Sequence, residues 1–138
     1  MSKKAPQGMQ RLVPYLAYAD APAAIAFLCG AFGFEERSRY PMPDGRIGHA
    51  ELAYQDDVLM LASAWEGFGL SSPRDLPAST GQVYCVVDDL DAHFARARGA
   101  GATIAAEPAF DHGTRMYRAL DCEGHRWIFA TLEGTGAP

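Results

Sequence analysis

The sequence predicts an α+β fold: two tandem βαβββ modules forming a curved, partly open, eight-stranded barrel-like sheet with the helices outside. Three observations point there. The order strand, helix, strand, strand, strand occurs twice along 138 residues. Landmarks of the two copies recur at one spacing of 68 positions: Asp20 with Asp88, Gly33 with Gly101, and the turn Gln55-Asp56-Asp57 with Glu123-Gly124-His125. Each half is too short to bury its own apolar face, so the two halves must share a core.

The elements follow in order. Residues 1–10 are polar, with Pro6 and Gly8, and read as a tail. The first module spans 11–62. Leu12 to Tyr18 is rich in strand formers. Asp20 is a good helix cap and Pro22 suits a first helical turn. Ala23 to Phe32 then carries Ile25, Leu28 and Cys29 at helical spacing, with Phe27 and Phe32 widening the apolar face, and Gly33 stops the helix. Three strands are predicted next, at Phe34–Tyr40, Ile47–Tyr54 and Val58–Ala62, separated by the turn formers Pro41 to Gly45 and Gln55 to Asp57. Residues 63–81, rich in Gly, Ser and Pro, form a long linker with Trp65 and Phe68. The second module, 82–133, repeats the order: strand Gln82–Val87, a helix from Asp88-Asp89-Leu90-Asp91 to Arg98, then strands Ala102–Ala106, Tyr117–Leu120 and Trp127–Leu132. Residues 134–138 are a second tail.

Composition excludes several functions. The net charge is -5, from 12 Lys and Arg against 17 Asp and Glu, and the arginines are scattered, so no basic footprint for nucleic acid exists. No apolar stretch approaches the roughly 20 residues that span a bilayer. The start Met1 to Pro6 has no apolar segment after it, which argues against a secretory signal. Three cysteines, Cys29, Cys85 and Cys122, lack metal spacing and suit a reducing cytoplasm.

Local motifs sharpen the reading. Asp44-Gly45-Arg46-Ile47-Gly48-His49-Ala50-Glu51-Leu52, Val58-Leu59-Met60-Leu61-Ala62 and Asp121-Cys122-Glu123-Gly124-His125-Arg126-Trp127 resemble the PhnB-like branch of the vicinal oxygen chelate superfamily, the glyoxalases, bleomycin-resistance proteins and dioxygenases. Val87 to Ala92 is similar to that superfamily's second-module entry. Cys122 stands where the branch usually has Pro. The resemblance covers about Leu12 to Leu132.

The resemblance implies a site. Metal-dependent members hold one divalent ion with four inward His, Gln or Glu residues. The matching positions here are Val13, Glu51, Gln82 and Ile128. Val13 and Ile128 cannot ligate. Glu51 and Gln82 are therefore the candidate ligands for Zn, Ni, Mn or Fe, with His49, of the same strand parity, as a substitute. With half the set missing, no cofactor is expected, and Glu51 and Gln82 read as hydrogen-bonding groups of a cavity. Glu51 is also the candidate general base, against the alternative of an ion pair with Arg115 or Arg118. His49 is a candidate acid/base group.

Further candidates line the expected cavity. Tyr15, Tyr84 and Tyr117 count to the inward parity of their strands. Trp65, Phe68 and Phe110 are placed in bordering loops, and His112 near the rim. Arg115 and Arg118 could clamp an anion. Trp127 and Phe129 are placed under a helix, His93 on the second helix as a solvated or half-buried surface residue, and His125 in a structural turn. The expected partner is a small organic molecule, planar and aromatic or cationic. Proteins of this resemblance also imply a homodimer. The leading function is ligand binding of the glyoxalase/bleomycin-resistance type. The alternative is a metal-dependent lyase, isomerase or dioxygenase.

Overall fold

A computed structural model describes residue 8 and residues 10–132. The first module comprises β1 (Tyr15–Tyr18), α1 (Ala21–Phe32), β2 (Glu35–Pro41), β3 (Ile47–Tyr54) and β4 (Asp57–Ser63). The second comprises β5 (Gln82–Val86), α2 (Leu90–Gly99), β6 (Thr103–Asp111), β7 (Thr114–Leu120) and β8 (Arg126–Thr131). The linker contains two short 3-10 turns, Glu66–Phe68 and Pro73–Asp75. Of the predicted tails, only residue 8 and Gln10 are described. Gln10 is tied down, its side-chain amide bonding both the N–H and the carbonyl of Val58.

The strands form two mixed sheets of four, ordered β1-β4-β3-β2 and β5-β8-β7-β6, and neither is closed. In each, the first strand runs parallel to the last and the remaining pairs are antiparallel. The expected single eight-stranded sheet is thus divided. β1 and β5 border a common cleft but no ladder joins them among the described residues.

The helices form where the caps require. Asp20 accepts from the Ala23 N–H and Asp89 from the Ala92 N–H, both at 3.1 Å. The second cap is Asp89, one residue beyond the position the repeat assigned, whereas Gly33 and Gly101 keep the 68-residue spacing with φ of 84° and 96°. The Gly33 N–H closes α1 on the Leu28 carbonyl. Arg96 of α2 donates to the free Cys29 and Gly30 carbonyls, placing a cation at the negative end of α1. β6 runs five residues past its expected end, through Pro108. It is an edge strand with register shifts on both sides of Ala106, where a missing N–H removes no ladder bond.

One core serves both modules. Phe32 of α1 packs 5.2 Å from Trp127 and 4.7 Å from Phe129, whose own rings stack at 5.7 Å. Ile25, Leu28, Leu52, Leu59 and Leu61 join the same cluster as Tyr117 and Ala119. The last residue of the first half's helix therefore reaches the sheet of the second, so the two halves share one core.

Candidate functional site

Strand alternation decides which side chains leave this core. In the first sheet the register aligns Tyr15 with Met60 and Met60 with Glu51, a row across β1, β4 and β3. His49 lies two residues before Glu51 and so shares its face. In the second sheet Gln82 lies beside Arg126, and Tyr84 beside Ile128, which in turn faces Arg118.

Three side chains of the first sheet form a chain of hydrogen bonds. The Tyr15 hydroxyl lies 2.7 Å from His49 Nδ1, and His49 Nε2 lies 3.2 Å from Glu51 Oε2. A carboxylate only accepts, so in the neutral imidazole Nε2 carries the proton and Nδ1 accepts from the tyrosine. With its proton directed inward, the Tyr15 oxygen presents lone pairs outward. Glu51 thus meets His49, not Arg115 or Arg118. Arg115 pairs with Asp91 at 2.9 Å, and Arg118 with Asp111 at 3.2 Å.

Two clefts meet at Tyr15. The first, about 520 Å³, lies between the modules and is lined by Pro14–Ala17, by linker residues from Leu70 to Gly81, and by Gln82, Tyr84, His125 and Arg126. The second, about 510 Å³, is largely apolar, with Met42, Ile47, Trp65, Phe68 and Leu70 around Tyr15 and Arg46 at its side. Each lies in the range of small-molecule sites. Tyr15 and Tyr84 are each 50% exposed and Trp65 46% exposed, so large aromatic surface faces solvent.

The structure brings Tyr15, His49 and Glu51 together. It also gathers Gln82 and Tyr84 at the inter-module cleft, and Trp65 with Phe68 at the apolar one. Four other expectations are corrected. Tyr117 is fully buried on the helix-facing side, because Arg118, not Tyr117, aligns with Ile128; its hydroxyl donates to His93 Nδ1 at 2.7 Å. Arg115 shares that side and reaches α2, not a cleft. Phe110 belongs to strand β6 opposite Arg115 and lines neither cleft. His93 is buried, not solvated: Nε2 donates to the Phe32 carbonyl at 2.9 Å, and burial depresses its pKa. His112 sits in the exposed β6–β7 turn beside Asp111, 2.7 Å away.

The donor set does not match a complete four-ligand centre. Val13 and Ile128 offer no donor atom, and Gln82 lines a cleft that Glu51 does not. Among the described residues no three His, Cys, Asp or Glu side chains converge to hold an ion.

Sequence reasoning missed a buried polar junction behind the clefts. Asp121 Oδ1 accepts from the Glu123 and His125 N–H groups, and Oδ2 accepts from the Tyr18 hydroxyl and Trp127 Nε1. Glu123, 4% exposed, accepts from the Ala19 and Asp20 N–H groups and from the Ser72 hydroxyl of the linker. His125 Nε2 donates to the Ala17 carbonyl at 2.8 Å. The Asp121-to-Trp127 motif is therefore a clasp holding the first module and the linker against β8. Arg126 was also missed; only the fold shows that it faces the cleft.

Comparison with known proteins follows from this geometry. Residues 9–129 match the family model described as Glyoxalase/Bleomycin resistance protein/Dioxygenase superfamily. The chain belongs to that superfamily. Among this superfamily member's relatives, an uncharacterized protein of Mycobacterium bovis is 36% identical over 121 residues, covering 84% of this chain and 79% of the relative. The crystal structure of TioX from Micromonospora sp. ML1 is similar at a TM-score of 0.70 and 34% identity, covering 87% of this chain and 96% of that one. TnmS3, an antibiotic binding protein from Streptomyces sp. CB03234, shares the fold at a TM-score of 0.65 and 20% identity, covering 86% of this chain and 92% of that one. No helix among the described residues is long and apolar enough to cross a membrane.

Proposed function

We propose that this superfamily member binds a small, planar organic molecule in the groove made by the two clefts, without a complete metal centre. The observation that carries the reading is the joining of the clefts at Tyr15, with Trp65, Phe68 and Tyr84 exposed along them. Ring faces left in water gain most from stacking on a flat apolar ligand. The Tyr15 oxygen, which borders both clefts, supplies an acceptor to orient it. The likeness to TnmS3, which binds an antibiotic, supports the same general use. Isothermal titration with a panel of planar aromatic compounds, neutral and charged, tests the proposal. Saturable heats that weaken on Trp65→Ala and Tyr15→Ala are expected, and uniformly absent heats would overturn it.

A second reading, a metal-dependent lyase, isomerase or dioxygenase, is favoured by one observation, the adjacency of His49 and Glu51. Elemental analysis of protein never exposed to chelator separates the two. One equivalent of Zn, Ni, Mn or Fe that disappears in Glu51→Ala would reverse the ranking.

The proposed setting is the cytoplasm, in keeping with three free cysteines, and the proposed assembly is a homodimer. Exposed Tyr40, Val86 and Phe110 on sheets with one uncovered face support the latter. Light scattering on the eluted protein reads the mass directly.

A further inference from the structure

The arginines of this acidic protein are almost all occupied. Arg39, Arg46, Arg74, Arg115 and Arg118 each pair with a carboxylate. Arg96 donates to the end of α1, and Arg98 lies over the Phe94 ring. Arg126 differs. Among the described residues its guanidinium has no hydrogen bond or ion pair, and it lines the inter-module cleft. No Asp or Glu lines that cleft with it. In a chain of net charge -5, this is a pocket where a positive charge stands without local compensation.

We propose that Arg126 is an anion-recognition point, and that the ligand of this groove is an aromatic carboxylate. The inference rests on the binding function proposed above and names the chemistry of its ligand. Strand β8 alternates, so Trp127 and Phe129 enter the core while Arg126, on the opposite face, lines the cleft. The guanidinium carries a planar fork of donors that matches a carboxylate in two parallel hydrogen bonds. Gln82 lies directly beside it across the β5–β8 pair, and its amide can donate to the same oxygens. Tyr15 and Tyr84 border the cleft, so a ring attached to the carboxylate meets aromatic surface. The linking position of Tyr15 then leads the apolar body of a longer ligand toward Trp65 and Phe68. The charge selects the anion in a recessed cleft, where attraction is screened less than on an open surface.

Three isosteric probes test this: naphthoate, naphthylmethanol and naphthylmethylammonium, each titrated calorimetrically into the full chain. The expected result is naphthoate binding roughly tenfold or more tighter than the alcohol, the usual scale of a charge-assisted pair. That preference should disappear in Arg126→Gln. Arg126→Lys, which keeps the charge but loses the fork, should retain only part of it. Raising the salt concentration should shrink the naphthoate preference and leave the alcohol untouched. Naphthoate binding no tighter than the alcohol, or a preference that survives Arg126→Gln in a variant with wild-type thermal unfolding, overturns the assignment. Binding of the alcohol or the ammonium without the carboxylate would defeat this inference alone. Silence from all three probes would count against the underlying binding function as well.

Discussion

Replacing Asp121 by Asn perturbs the clasp at its centre with almost no change of shape. The carboxylate, 5% exposed, receives two backbone N–H groups on one oxygen and the Tyr18 and Trp127 donors on the other. An amide can accept on one side only. If its nitrogen faces Tyr18 and Trp127, the tyrosine can rotate and accept, but the indole N–H is stranded and both bonds lose their charge. If it faces the backbone, two N–H groups are stranded. A buried donor left unsatisfied costs about 1–3 kcal/mol, and hydrogen bonds to a charged group contribute about 1.5–3 kcal/mol each. The expected loss is therefore about 4 kcal/mol, a large share of the roughly 5–15 kcal/mol that holds such a domain together. For a chain of this size that corresponds to a Tm lower by roughly 10–15 °C. Urea unfolding followed by both fluorescence and circular dichroism measures it, and the two probes should coincide because the modules share one core. Trp127→Phe removes a single donor and should couple to Asp121→Asn in a double-mutant cycle. A loss below about 1 kcal/mol, or strict additivity with Trp127→Phe, would refute the clasp.

Other outcomes follow from the same structure. His93 is held neutral by burial, with its folded pKa depressed below the ordinary histidine value. Below about pH 6.5 the unfolded chain takes up a proton that the folded chain refuses, so stability falls as pH drops from there toward the folded pKa. Unfolding free energies across that range should show the slope, and His93→Gln should flatten it. The Cys122 thiol is pushed up to about 12 by desolvation and by the Asp121 and Glu123 carboxylates, and Cys85 to about 12 chiefly by burial. Both should react with a disulfide reagent at pH 8 far more slowly than the same thiols in urea, since the thiolate is the reactive form. A native rate equal to the unfolded rate would contradict this. Phe32→Ala removes the ring packed against both Trp127 and Phe129 and should cost about 3–5 kcal/mol in denaturant titration.

Much of the architecture was legible because local chemistry writes it. Asp20, Pro22 and Gly33 bound α1 in the structure as they do in the sequence, and Ile47–Tyr54 is a strand with the same ends in both. Trp127 and Phe129 lie in the core as their parity to Ile128 required. Boundaries failed where tertiary context intervened. The expected strand from Leu12 begins only at Tyr15, where the pairing with β4 starts, and Pro108 masked the length of β6. At the site, Tyr15, His49 and Glu51 were legible from parity within the first module. Tyr117 was not, because the β7–β8 register sets Arg118, not Tyr117, opposite Ile128, and a spacing count does not see that pairing.

Sequence alone determined the duplicated βαβββ order, the caps of α1 and the faces of β3 and β8, since these depend on neighbours within a few residues. It also determined that Val13 and Ile128 bring no metal donors. Tertiary structure decided everything that requires distant segments to meet. It split eight strands into two sheets, set Phe32 against β8, and turned Asp121 and Glu123 from loop acids into a buried clasp. Among the described residues, it also left Arg126 without a partner in a cleft that no carboxylate lines. The reason is physical: whether a charge is paired, buried or open to a ligand depends on groups far away in the chain, and only packing brings them within a few ångströms.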